Sequence, residues 1–316
     1  MRLALLLSAL VVALAGCGTG AGDAPKGAGT ELTVSRDFGA KEMGTSEQKK
    51  IPAGETVMRL LQRRFEVETR YGGGFVQEID GVGGGRRSGR PVDWFFYVNG
   101  IEASSGASAR RLAAGDRVWW DHHDWGAAMR VPAVVGSYPA PFVSTSKGRK
   151  VPVRIDCGAG SQRACREVQK RLQEAGAEVG GTSTIGQQAD RGVLRLLVGR
   201  WSDVRRDPAA RRIESGPKVS GVFARPSAKG DRIELLDGRG TSVRTLGAGT
   251  GLVAATSFLD QQPTWVIAGT DAVGVDAAAA ALNETRLRDH FAVAIENGRE
   301  MPVPVPLPTE GATESP

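Results

Sequence analysis

The chain has 316 residues but only three histidines and three cysteines. His122, His123 and His290 are the whole imidazole supply, and neither a His-Glu-x-x-His helix nor a Gly-x-Ser-x-Gly elbow is present to use them. The common zinc-protease and serine-hydrolase arrangements are therefore excluded. There is no Cys-x-x-Cys pair for redox work. Beyond the first sixteen residues no apolar run approaches the ~20 residues that cross a bilayer. Charge of a single sign is also missing: 41 basic residues stand against 35 acidic ones, a net +6. That is a mixed surface, and nucleic acid is not an expected partner.

What is there begins with Arg2, an apolar run from Leu3 to Ala15, and Leu14-Ala15-Gly16 directly before Cys17. Residues 1–16 read as an export signal, too short and wrongly flanked to be kept as a span. The Leu-Ala-Gly-Cys ending resembles the bacterial lipobox. That resemblance implies an acylated Cys17, a lipoprotein, and an extracytoplasmic location anchored to the outer face of the cell membrane. Multiple acyl chains hold firmly where one would be marginal. Residues 17–30 are rich in Gly, Ala and Thr and read as a tether with a reach of about 20 Å. Export also bears on the remaining cysteines. Cys157 and Cys165 are expected to oxidise, closing a loop of about nine residues worth roughly 2–3 kcal/mol. A two-cysteine metal site is the rival, without a nearby histidine to complete it.

The most unusual stretch runs from Pro91 to Trp125 and holds four of the six tryptophans. In a strand successive side chains point to opposite faces. Trp94, Phe96 and Val98 thus share one side while Phe95, Tyr97 and Asn99 share the other. In the next strand Val118, Trp120 and His122 alternate with Trp119, Asp121 and His123. Both faces need cover, and one helix supplies only one. The outer face either packs on the C-terminal half or forms an aromatic ligand platform with a polar rim, as small-molecule sites are usually composed. The candidate platform is Trp94, Phe95, Tyr97, Asn99, Trp119, Asp121, His123 and Trp125. The cluster Asp121-His122-His123-Asp124 has ligand types suited to zinc, but adjacent histidines diverge in an extended strand. It also spells Asp-x-His-x-x-Gly, a cobalamin-enzyme signature that belongs to a helix start in another fold. A catalytic reading would use Asp121 or Asp124 with His123 as acid and base.

Around these strands lie a helix start at Gly54, Thr56 and Val57, an Ile79-Asp80-Gly81 segment, Trp94 to Gly100, and Gly115-Asp116-Arg117-Val118-Trp119-Trp120. This order resembles the small β-grasp domain of bacterial secreted proteins, related to the C-terminal β-domain of transcobalamin and intrinsic factor. The resemblance implies a β-grasp (ubiquitin-like) α+β fold over 31–130 and a cobalamin-like ligand. It carries no α-barrel partner for the clamp those carriers use. Gly81 to Arg90, containing the glycine- and arginine-rich run from Gly83, reads as a mobile surface loop, with an anion cradle or a lid over the aromatics as its other readings.

Residues 131–150, with Pro132, Pro139 and Pro141, read as a linker. Residues 151–300 alternate strands and helices, which predicts an α/β domain with a mostly parallel sheet. Ala248 to Leu259 is expected as a helix in that unit. Gly269-Thr270-Asp271 falls where such sheets bind ligands, and the Pro-rich 301–316 reads as a disordered tail. Together these features predict a lipoprotein that binds a small molecule, a corrinoid or another nutrient, and delivers it to a transporter. The alternative is a structural or protein-interaction lipoprotein of the envelope whose aromatic face is packed on the second domain.

Overall fold

The computed structural model describes residues 29–146, 149–187, 192–257 and 261–306. Cys17, the export signal and most of the tether lie outside them. The described chain is α+β, mostly strands in mixed sheets with few helices.

The first half contains β1 (Thr30–Arg36), β2 (Lys41–Gln48), α1 (Val57–Gln62), β3 (Val67–Arg70), β4 (Phe75–Ile79), β5 (Val82–Gly83), β6 (Gly85–Arg87), β7 (Arg90–Val98), β8 (Ile101–Glu102) and β9 (Arg117–Asp124). The main sheet runs β2-β1-β9-β7-β6, with β1 and β9 parallel at its centre and the other pairs antiparallel. Register places Val34, Trp120 and Phe96 side by side on one face, and Thr33, Trp119 and Tyr97 on the other. The first face is closed by α1. Thr56 caps this helix by accepting from the Arg59 amide, and Val57, Met58, Leu60 and Leu61 turn inward. Leu32, Val34, Val98, Val118 and Trp120 complete that core.

The expected mobile loop at Gly81 to Arg90 instead holds a hairpin, β6 against β7, turning at Ser88 and Gly89 with positive φ. Its arginines are engaged, Arg87 with Asp37 and Arg90 with Asp124. This removes both the anion-cradle and the lid readings.

The segment 131–150 does not hang free between two bodies. Val134 donates to the Gly100 carbonyl at 2.9 Å and Val135 to the Phe291 carbonyl at 3.2 Å, so neighbouring residues stitch to opposite halves. Val131, Val134, Val135, Tyr138 and Phe142 are buried. A Cβ on Gly136 would lie 2.8 Å from the Trp119 ring and 2.9 Å from the Asp289 amide nitrogen, which leaves room only for glycine. A buried loop must satisfy its backbone locally, and this one does so by joining the halves.

The second half contributes α2 (Ala140–Val143), β10 (Thr145–Ser146), β11 (Arg149–Lys150), β12 (Val153–Cys157), α3 (Gln162–Glu174), β13 (Val179–Thr184), β14 (Leu194–Arg200), α4 (Trp201–Val204), α5 (Pro208–Arg211), α6 (Pro217–Ser220), β15 (Ala224–Pro226), β16 (Ile233–Leu236), β17 (Ser242–Leu246), β18 (Gly251–Thr256), β19 (Thr264–Gly269), α7 (Ala272–Ala280), α8 (Glu284–Leu287), β20 (Ala292–Glu296) and β21 (Arg299–Val303). Its large sheet runs β13-β12-β14-β19-β18-β20-β21. The β13, β12, β14 and β19 block is parallel, and the β18, β20 and β21 edge is antiparallel.

Of the helix expected at 248–259, Gly251–Thr256 is instead a strand, residues 258 and 259 lying outside the described ones, and with it the mostly parallel sheet becomes mixed. Every residue of β18 is buried. An apolar run hidden on both faces has no periodicity to tell strand from helix. The first residues of the expected tail are ordered instead, Met301 to Val303 pairing with β20, and 307–316 lie outside the described residues. Cys157 and Cys165 form the expected disulfide, fastening the end of β12 to the first turn of α3.

Candidate functional site

The second face of the first sheet is built around Asp121. This residue sits on the central strand β9, wholly buried, with Ser35 beside it on β1 and Phe95 on β7. At the end of β1 the chain turns through Asp37 and Phe38, both at positive φ. That curl aims two amides at the carboxylate: Phe38 N donates to Oδ1 at 3.0 Å and Gly39 N to Oδ2 at 2.9 Å. Ser35 Oγ donates to Oδ2 at 2.6 Å, and Trp119 Nε1 in turn donates to Ser35 Oγ at 2.7 Å. His123 Nδ1 lies 2.8 Å from Oδ1. Burial alone would raise the Asp121 carboxyl, but these partners, His123 foremost, hold it below the ordinary carboxylate range.

His123 is clamped between aromatic rings. Phe38 and Phe95 stack on its two sides, each with centroids 4.5 Å away, and Phe291 meets its edge at 5.4 Å. Phe38 also meets Phe223 at 4.9 Å and Phe291 at 5.2 Å, while Trp119 and Tyr97 meet Phe291 at 5.1 and 5.6 Å. Phe223 and Phe291 belong to the second half. The candidate platform is thus filled by the protein's own rings, in one core continuous with Leu197, Leu252 and Val266.

The remaining candidates separate. Trp94 is on the α1 side, its Nε1 donating to the Val82 carbonyl at 2.8 Å. Asn99 occupies a tight turn at positive φ and bonds Asp116 Oδ1 at 2.7 Å and the Arg117 amide at 2.9 Å, which is a turn-locking role. Trp125 is half-buried at the strand exit, its amide donating to the Pro91 carbonyl at 3.1 Å. Tyr97 is fully buried and its hydroxyl has no hydrogen-bond partner. Burial pushes that hydroxyl's pKa well up. His122 faces the opposite way from His123, with Nε2 3.0 Å from the Gly83 carbonyl. Its pKa is lowered, mainly by burial.

This geometry decides the chemistry. Ser35 and His123 both bind the same carboxylate, so the imidazole does not activate the hydroxyl as a nucleophile's base would. Asp124 lies on the other face, ion-paired to Arg90. Among the described residues no group of three or more His, Cys, Asp and Glu is placed to hold a metal ion. Where the halves meet beside Trp119, Arg117 pairs with Glu31 at 3.3 Å and Glu284 at 2.5 Å, and Arg288 joins the same two carboxylates. The hollow between these groups is about 10 Å³. That is room for one water, against the hundreds of Å³ that a drug-sized ligand needs. The Gly269-Thr270-Asp271 turn is also spent internally: Asp271 caps α7 and accepts from the Gly274 and Gly249 amides.

Residues 54–124 match a domain of unknown function, DUF4430. The match covers α1 to β9 and leaves out Ser35, Phe38 and the whole second half. A solved protein from Ruminococcus gnavus ATCC 29149 with a suggested metal-binding role shares 14% identity, over 30% of this chain and 96% of that one. Its TM-score is 0.25, which carries no inference. No curated protein matches the chain.

Sequence reasoning marked Asp121, His123, Tyr97 and Trp119 correctly as residues of one face. It missed Ser35, Phe38, Phe223 and Phe291. Ser35 lies near the end of β1 and Phe38 just beyond it. Phe223 and Phe291 carry no local signal, since they reach the site through the tertiary fold alone.

Proposed function

We propose that this chain is an extracytoplasmic lipoprotein, held to the membrane through Cys17, that works as a fixed two-part binding body in the cell envelope. In this reading the DUF4430 domain, a β-grasp unit, does not offer its aromatic sheet to a corrinoid or other nutrient. It uses that sheet to dock its own second half, and the partners of the whole body are macromolecular. One observation carries the reading: His123 is stacked between Phe38 and Phe95 and edged by Phe291, with Asp121 fully satisfied beneath. A ligand platform needs open space over its rings, and here a second-half phenylalanine stands in it.

The test is a titration of the full mature chain with cobalamin, followed by tryptophan fluorescence. No saturable quenching is expected. Saturable quenching that disappears in Tyr97→Ala and Trp119→Ala would restore the nutrient-carrier reading. Separately, Cys17→Ser is expected to release the protein from membranes washed at high salt; unchanged fractionation after that wash would remove the anchor.

A further inference from the structure

The face of the molecule nearest the N-terminal tether is basic, and it surrounds a hollow. Edge strand β2 and helix α1 leave between them a space of about 280 Å³ lined by Ser46, Glu47, Gln48, Leu60, Arg63 and Arg64. Of its lining, Leu60 is apolar, Arg63 and Arg64 are cationic, and Glu47 is acidic. Arg64 Nε donates to Ser46 Oγ at 3.0 Å, which holds the guanidinium over the opening. Arg63 is fixed at 2.5 Å from Glu55, a carboxylate buried beneath the helix. Lys49 and Lys50 follow Gln48 directly, and Arg59 stands one helical turn before Arg63; all are exposed. Arg59 donates to the Gly54 carbonyl at 3.3 Å and Arg63 is paired with Glu55, which leaves Lys49, Lys50 and Arg64 against Glu47.

The chain enters the fold at this place. Thr30 pairs with Gln48, and a Cβ on Gly29 would lie 2.7 Å from Glu47 Oε1. Cys17 is twelve residues before Gly29, so at no more than about 3.6 Å per residue the anchor can stand at most roughly 43 Å away. A body tied that closely to a bilayer, and tied at its basic hollow, presents that hollow to the lipid surface. Lysine and arginine near an anionic leaflet attract it strongly, within about a Debye length. Guanidinium groups also bind phosphate oxygens in paired geometry.

We infer that the hollow between β2 and α1, lined by Arg63 and Arg64 and continued by the exposed Lys49 and Lys50 that follow Gln48, docks an anionic phospholipid headgroup, a phosphodiester with glycerol hydroxyls, in the leaflet that carries the anchor. Ser46 and Gln48 supply polar groups for the hydroxyls, and the cations supply the phosphate contacts. The inference rests on the anchor reading for its orientation, but its chemistry does not require acylation. Docking would fix the angle at which the second half projects from the membrane.

The experiment uses the mature chain from residue 17 bearing Cys17→Ser, which has no acyl group, and vesicles of neutral phosphatidylcholine with or without about one-third phosphatidylglycerol. Co-sedimentation is expected to be at least tenfold greater with phosphatidylglycerol and to fall steeply as salt is raised. Lys49→Gln/Lys50→Gln, which leaves the Arg63–Glu55 pair intact, should cost more than fivefold, and adding Arg64→Gln should abolish the preference. Lys229→Gln/Arg232→Gln, two exposed cations far along the chain, should leave it unchanged. Equal partitioning onto both vesicle types, or a preference that survives the triple variant or falls equally in the control pair, would overturn the inference. Because acylation is absent from this assay, its failure is distinct from a failure of Cys17→Ser to leave the membrane fraction.

Discussion

The two faces of the first sheet solve the same problem by different means. The α1 face is closed from within the first half: Val57, Leu60 and Leu61 share one apolar core with Leu32, Val34 and Val118. The opposite face is closed from far away. Phe223 and Phe291 arrive from the second half, and the interface holds a buried carboxylate with its donors among the rings. An apolar contact tolerates small shifts, whereas a buried carboxylate is stable only when every donor is in place. The first face therefore makes the domain, and the second fixes how the domain joins the rest.

The largest expected effect comes from removing the carboxylate. Asp121→Ala strands the Ser35 hydroxyl, the Phe38 and Gly39 amides and His123, and should destabilise the whole chain by about 3–5 kcal/mol. Chemical denaturation followed by tryptophan fluorescence measures it; a loss below about 1 kcal/mol would mean the cage is not structural. Leu60→Ala on the α1 face should cost about 2–4 kcal/mol as a cavity effect. The comparison sharpens if both variants unfold in one transition, as a shared core requires. Separate transitions for the two halves would break it.

Reducing Cys157–Cys165 comes next, with a loss of roughly 2–3 kcal/mol from the loop it closes. It should not disturb His123, since the bridge lies at the far end of β12. Equal protection of Trp119 from acrylamide before and after reduction is the check.

The smallest effects are pH dependences. Asp121 has a depressed carboxyl pKa, so its contribution is fully present above its unfolded value of about 3.9 and is lost as pH falls through the lower folded value. His290 is held below its ordinary value chiefly by burial. It binds its proton more weakly folded than unfolded, so stability falls as pH drops below about 6.5. Thermal unfolding from pH 3 to 8 should show both slopes; His290→Gln should reduce only the upper one, to which the buried His122 also contributes, and an unchanged upper slope would contradict the assignment.

How much of this was legible in the sequence follows from the same comparison. Alternation over Trp94 to Val98 and Val118 to His123 sorts those residues correctly between faces, because strand periodicity is local. The helix start at Gly54, Thr56 and Val57 is local too. The occupant of the second face was open between a ligand and the C-terminal half, because nothing near Trp119 announces Phe223 or Phe291. Residues 131–150 read as a linker because prolines and glycine mark loops, yet burial depends on what flanks them. Gly251 to Thr256 read as a helix because a strand buried on both faces shows no alternation. Asp121 was noted as one member of an acidic and histidine cluster, but its partners Ser35, Phe38 and Gly39 lie more than eighty residues earlier.

The central claim is that the aromatic face of the first sheet is an internal joint. The most direct measurement expresses segment 31–130 alone and with segment 131–306, recording solubility and the tryptophan response to cobalamin in each case. The account predicts that the first segment aggregates alone, becomes soluble when its complement is added, and shows no saturable response in either state. A soluble, monomeric 31–130 segment whose fluorescence is saturably quenched by cobalamin, with the response lost in Trp119→Ala, would contradict it.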